Sequence, residues 1–199
     1  MYSVRTQPNR PPPSSSEIID GKLYLGNLSA NLDADYREKL GITHVVSVCT
    51  DCSSTGPNHL VISVDDNEYE DILVHMPKAV EFIHRALEEG GKVLVHCVMG
   101  VSRSPTIVAA YLMKTREWDA MRALDHIKAR RREILPNYGF FKQLQVYAKC
   151  QYNPKPTDRS WKRRFTQEVT RYLGYLDDVG NYHRGQALHD EVRDNRTCE

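Results

Sequence analysis

Cys97 and Arg103 stand six residues apart in KVLVHCVMGVSRSP (92–105), and every residue between them is uncharged. A thiol of ordinary pKa, ~8.5, is only a few per cent thiolate at neutral pH, so it becomes an efficient nucleophile only where its surroundings favour an anion. The flanking sequence supplies such surroundings. KVLVH predicts a buried strand that delivers Cys97, and SPTIVAAYLMKT predicts a helix beginning just beyond the loop. Backbone N–H groups of the loop can turn inward, and the helix N-terminus points at the same place; both hold the thiolate first and a tetrahedral oxyanion group second. Ser104 is the expected N-cap and Pro105 suits the first helical turn, where no N–H is needed. The planar guanidinium of Arg103 can take two phosphate oxygens at once and stabilise a transferring phosphoryl group. Gly100 lets the loop turn and lets backbone approach a ligand. This chemistry calls for no metal and no cofactor.

Transfer of a phosphoryl group to sulfur also needs a general acid to protonate the leaving oxygen, a task that contributes ~10²–10⁴ in rate. VISVDDNEYED ends a predicted strand with Asp65 and Asp66, in a polar segment able to cover a site. Asp71 is expected instead as the N-cap of the next helix.

These side chains must be carried by a scaffold. Ile19, Leu23 and Leu25 around the Asp20-Gly21 turn read as a strand pair, and NLDADYREKLG reads as a helix closed by Gly41. THVVSVC and HLVISVD are β-branched runs bounded by turn residues, hence strands. ILVHMPKAVEFIHRALEEGG has helical spacing, with Val80, Ile83 and Leu87 on one face and Pro77 either kinking the helix or opening its regular part. WDAMRALDHIKARRREI and GFFKQLQVYAKC are two more helices, split by Pro136-Asn137. Strands alternating with helices over 18–150 predict an α/β fold: a single, mostly parallel sheet flanked by helices on both faces. Ligands bind such sheets outside the carboxyl ends of the strands, where Cys97 lies.

Residues 1–17, rich in Pro, Ser and Arg, are expected to be a disordered leader. Residues 151–199 are read as an extension with one amphipathic helix (Trp161, Phe165, Val169, Leu173, Leu176) and a flexible end. That stripe either covers the domain or engages a protein partner. The net charge of +1 gives no basic excess to mark nucleic acid or anionic membrane as an obligatory partner, and no apolar run reaches the ~20 residues of a membrane span. KARRR (128–132) and WKRRF (161–165) are read as solvated helix faces before localisation signals. An odd count of five cysteines without a signal peptide fits a reducing compartment, the cytoplasm or the nucleus. Cys49 fills the core and Cys52 lies in a loop in the plainer reading. Cys49 and Cys97 nevertheless both end strands of one sheet, which makes Cys49 a candidate redox partner able to shield the nucleophile from overoxidation.

HCVMGVSRS resembles the phosphate-binding loop of the cysteine-dependent protein tyrosine phosphatase superfamily. DGKLYLGN, LGITHVVSV, VDDNEYEDI and PNYGFFKQL resemble the dual-specificity phosphatases in matching order over about residues 18–150. The nearest subgroup is the atypical, zinc-tailed one, because CQYNPKPTDRSWKRRF is similar to the segment after its catalytic domain; the tail here has only Cys198, so zinc binding is not carried over. The resemblance implies a protein-tyrosine-phosphatase-like fold. It implies Cys97 as nucleophile, Arg103 as phosphate clamp, His96 orienting loop and thiolate, Ser104 assisting departure of the thiolate, and Asp66 as acid with Asp65 second. Val98, Met99, Gly100, Val101 and Ser102 then line the substrate with Arg103. A phosphoprotein carrying phosphotyrosine or phosphoserine/threonine is the implied substrate. Two rivals share the loop: an enzyme for phosphoinositides or RNA 5′ ends, for which a more basic loop is expected, and a non-catalytic phospho-binding module, which should lack the nucleophile or the acid.

Overall fold

The computed structural model of the chain describes residues 13–154. The chain divides into two units, Met1–Thr157 and Asp158–Glu199, and all described residues belong to the first. The expected C-terminal amphipathic helix, WKRRF and most of the leader lie outside the described residues.

Five strands form one sheet: β1 (Ser15–Ile19), β2 (Leu23–Gly26), β3 (His44–Val48), β4 (His59–Ile62) and β5 (Val93–His96). Their order is β1-β2-β5-β3-β4, with β1 antiparallel at one edge and the rest parallel. β1 begins at Ser15, three residues inside the expected leader, because the backbone of Ser14 and Ser15 is captured at the end of β2 by Asn27 and Gly26. Among the described residues the α-helices are α1 (Leu28–Leu32), α2 (Ala34–Leu40), α3 (Met76–Glu88), α4 (Arg103–Arg116), α5 (Ala120–Arg130) and α6 (Tyr138–Lys149).

The segment expected as one helix before Gly41 is two, because the Asp33 side chain accepts from the Tyr36 amide and starts a new helix there. Gly41 ends α2 in the left-handed conformation, φ 71°, as a helix C-terminus requires. Pro77 lies in the first turn of α3 and does not kink it. Asp71 is not the cap of that helix: a 3-10 turn over Leu73–His75 intervenes, and α3 has no side-chain cap.

Alternation along β2 and β5 divides the core. Tyr24 and Leu94 pair in register and pack with Ala30, Tyr36, Leu40 and Ile42 on the face covered by α1 and α2. The opposite face is covered by α4, which α3, α5 and α6 surround in turn. Every residue of α4 from Arg103 to Met113 is buried, which explains why its sequence is apolar nearly all round. Helix α4 starts where β5 ends, so the loop carrying Cys97 is anchored at both ends in the least exposed parts of the fold.

Candidate active site

Between His96 at the end of β5 and Arg103 at the start of α4 the backbone turns a tight ring, and the direction of its carbonyl groups explains its shape. The carbonyl of Val98 accepts from the Leu28 amide at 3.0 Å, and that of Val101 from the Leu135 amide at 2.7 Å. Arg131, only 4% exposed, donates its Nε to the Gly100 carbonyl at 3.0 Å and Nη2 to the Met99 carbonyl at 3.2 Å. The Cys97 carbonyl lies 3.2 Å from Nδ1 of His96, and that of Ser102 is taken up by Thr106. With these carbonyls tied outside, the intervening N–H groups are left to face the centre. Gly100 has φ 72°, and a Cβ there would stand 2.6 Å from the Gly26 carbonyl oxygen, so no other residue fits the turn.

Cys97 is buried and a free thiol, 1% exposed. Its Sγ accepts from the Gly100 amide and from the Ser104 hydroxyl, each at 3.2 Å. Arg103 reaches over the same ring. Its Nη1 donates to the Val64 carbonyl at 3.3 Å, whereas its buried Nε has no hydrogen-bond partner. A buried guanidinium N–H without an acceptor is costly, and an oxyanion in the ring would relieve that cost. Val98 and Met99 turn their side chains outward, 40% and 54% exposed, so the amides and not the aliphatic groups line the ring.

Asp66 follows β4 and comes down on the start of α4. Its Oδ1 accepts from Ser102 Oγ at 2.7 Å and from Asn137 Nδ2 at 2.9 Å, and its Oδ2 lies 4.0 Å from Arg103 Nε. Asp65 turns the other way, toward Thr50 Oγ1 at 3.4 Å. Asn137 has two tasks: its Oδ1 caps α6 at the Phe140 amide while its amide group holds Asp66. The Asn137 main-chain amide also donates to Ser102 Oγ at 3.1 Å.

His96 is wholly buried, and that burial drives its pKa down to about 4, with the nearby His59 and Arg37 pushing the same way against the bond to the Cys97 carbonyl. The ring is therefore neutral and meets Ser47 Oγ and the Cys97 carbonyl as a hydrogen-bonding group, not as a cation.

Two expectations are corrected. Helix α4 begins at Arg103 with Ser102 in the N-cap position, so Ser104 is inside the first turn, free to point its hydroxyl at Cys97. Ser102 makes no cap bond: its Oγ accepts from the Asn137 amide, and its hydroxyl donates to Asp66. Cys49 is not paired with Cys97 but joined to Cys52, with Cα atoms 5.9 Å apart. Strand β3 ends at Val48, and the turn that follows brings Cys52 back to Cys49 while Cys97 Sγ stays directed into its own loop.

Sequence reasoning missed Arg131 and Asn137. Arg131 lies in the basic run KARRR, whose composition suggests a solvated face, yet its neighbours Arg130 and Arg132 are exposed and it alone is buried. Asn137 follows Pro136 at the break between two helices; its position directly before a helix marks it as a cap, but nothing local marks its second bond.

Residues 23–150 match the family described as dual specificity phosphatase, catalytic domain. The chain is 38% identical over 160 residues to "Dual specificity protein phosphatase 5" of Rattus norvegicus, covering 79% of this chain and 42% of that one. It is 39% identical over 137 residues to "Dual specificity protein phosphatase 1B" of Arabidopsis thaliana, 67% of this chain and 81% of the relative. The crystal structure of DUSP15 superposes with a TM-score of 0.65 at 31% identity, over 77% of this chain and 95% of that one. Among the first curated relatives the chain spans from 33% to 64% of their length. With the ring of inward amides, the sheltered thiol and the matched segment all falling on the same residues, the chain belongs to the dual-specificity phosphatase family.

Proposed function

We propose that the chain hydrolyses phosphate monoesters on phosphoproteins, accepting phosphotyrosine and phosphoserine/threonine, through a phosphocysteine. The observation that carries this reading is the pairing of Cys97 Sγ, held by the Gly100 amide and Ser104, with a buried Arg103 Nε that makes no hydrogen bond. The substrate phosphate occupies the ring of amides with Arg103 on its oxygens. Sulfur attacks phosphorus in line; the S–P bond forms as the ester O–P bond breaks, and Asp66 gives its proton to the departing oxygen. Water then attacks phosphorus and loses a proton to Asp66, the S–P bond breaks, and phosphate and a thiolate stabilised by Ser104 remain. His96, neutral, keeps the loop in register.

A phosphoprotein is favoured over a phosphoinositide or RNA end by the rim. Val98, Met99 and Leu135, the last 43% exposed, present apolar surface where a multiply anionic ligand would need cations, and Arg103 is the only cation within the 97–103 segment. The binding-module alternative is disfavoured because Cys97 and Asp66, the residues read as nucleophile and acid, are both present. A mechanism that depends on a reduced Cys97 supports the cytoplasm or nucleus as its compartment. The test compares wild type, Cys97→Ser and Asp66→Ala on phosphotyrosine and phosphothreonine peptides and a soluble phosphoinositide. Loss of turnover in Cys97→Ser on peptides is expected. Full activity in that variant overturns the mechanism, and activity on the inositide alone overturns the substrate class.

A further inference from the structure

A line of polar side chains that the catalytic steps do not use runs from the surface to the backbone of the nucleophile. Its outer end is the Thr55 main-chain amide, which donates to Nδ1 of His59 at 3.1 Å, with the Thr55 hydroxyl 3.0 Å from the same nitrogen. A backbone amide only donates, so Nδ1 of His59 carries no proton, and the neutral ring is protonated on Nε2. That nitrogen is 2.7 Å from Ser47 Oγ, which therefore accepts. The one hydroxyl proton of Ser47 is left to go to Nε2 of His96, at 2.6 Å. His96 must then hold its proton on Nδ1, the atom 3.2 Å from the Cys97 carbonyl. A single main-chain amide thus sets the direction of each bond down to the peptide of Cys97.

We infer that Ser47 and His59 are positioning residues of the catalytic loop, which act through His96 to hold the Cys97 carbonyl outside the ring of amides. The inference rests on the reading of Cys97 as nucleophile. Ser47 is opposite His96 in the parallel β3–β5 register, and both are completely buried in the middle of the sheet. Polar groups in that position are tolerated only when bonded, and each of the two is bonded on both sides. The chain works with neutral rings only, since a protonated imidazole has two donors and no acceptor. Burial is the main cause that lowers the pKa of both rings, and Arg37 adds to it at both. With the chain intact, the thiolate meets N–H groups; with it cut, the Cys97 peptide can rotate and bring a carbonyl dipole toward the sulfur.

The experiment uses the full chain. Long-range ¹H–¹⁵N spectra of histidine-labelled protein should show Nε2–H for His59 and Nδ1–H for His96. Ser47→Ala should slow iodoacetamide alkylation of Cys97 near neutral pH, and lower kcat on a phosphotyrosine peptide, by about tenfold each with KM little changed, and should remove the single His96 tautomer. His59→Phe should behave in the same way. His59→Gln, whose side-chain N–H reaches Ser47, should restore most of the rate, a rescue that a role in stability alone would not give. Finding Nδ1–H on His59 in the wild type, or unchanged alkylation in a folded Ser47→Ala, overturns the inference. Should Ser47→Ala not fold, the His59→Phe and His59→Gln pair at a half-buried position decides, equal alkylation rates in the two overturning the inference. A wild type that turns over no phosphopeptide while Cys97 alkylation still responds to these substitutions would sink the proposed function and support the positioning role.

Discussion

Replacing Asn137 by serine tests what holds Asp66, the proposed general acid, in place. Serine still caps α6, so the helix start at Tyr138 is kept, while the donor 2.9 Å from Asp66 Oδ1 is lost. A hydrogen bond to a charged group contributes about 1.5–3 kcal/mol when sheltered. The Asp66 side chain is 38% exposed, so water replaces part of it, and about 1 kcal/mol is a fair value for the lost positioning. That corresponds to roughly fivefold in kcat, against a ceiling of ~10²–10⁴ for removing the acid in Asp66→Ala. The assay compares leaving groups. An alkyl phosphate such as a phosphothreonine peptide needs the proton, whereas p-nitrophenyl phosphate has a leaving group stable as an anion and should be affected far less. Ser102→Ala, which removes the other donor at 2.7 Å, should show the same selectivity. Equal slowing of both substrates in Asn137→Ser would refute the argument, because it would mean that the residue supports the phosphate loop and not the acid.

Gly100→Ala should lower kcat by well over tenfold and reduce thermal stability by about 2 kcal/mol or more, read by activity and a melting curve, because the Cβ meets the Gly26 carbonyl at 2.6 Å and φ is 72°. Arg131→Met leaves the Met99 and Gly100 carbonyls without their donors; a loss of roughly 2–4 kcal/mol in urea unfolding and a marked fall in kcat are expected. Folding of the His96 ring in its neutral form makes stability depend on pH. Because its folded pKa, about 4, lies below the unfolded value of 6.5, the unfolded chain binds more protons between them. Stability should therefore fall as pH drops from 6.5 toward 4, by an order of 3 kcal/mol, and His96→Asn should flatten that part of the curve in urea titrations.

How far the sequence could be read depended on whether the signal was local. Cys97, Arg103, Ser104 and the strand–loop–helix frame lie within one continuous segment, and apolar periodicity identifies the elements on both sides. Asp66 could be separated from Asp65 only by resemblance; in the structure Asp66 reaches Ser102 and Asn137, residues distant in the chain, while Asp65 turns toward Thr50. Arg131 shows the limit more sharply. A run of three arginines looks like one solvated face, and the burial of its middle member, Arg131, depends on the backward turn of the loop over residues 97–103. Ser47 and Cys49 depend on pairing in the same way: strand register places Ser47 beside His96, and the turn after β3 gives Cys49 to Cys52.

The outward-tied carbonyls of residues 97–102 have a consequence for linkage between ligand and fold. A cradle whose amides already face inward is a receptor for oxyanions whether or not they carry a leaving group. Inorganic phosphate, sulfate or tungstate should therefore act as dead-end occupants that raise the melting temperature with the logarithm of their concentration. Phosphate is also the product of the proposed reaction, so the same bonds that would prepare Cys97 for attack would make the chain susceptible to inhibition by what that reaction releases.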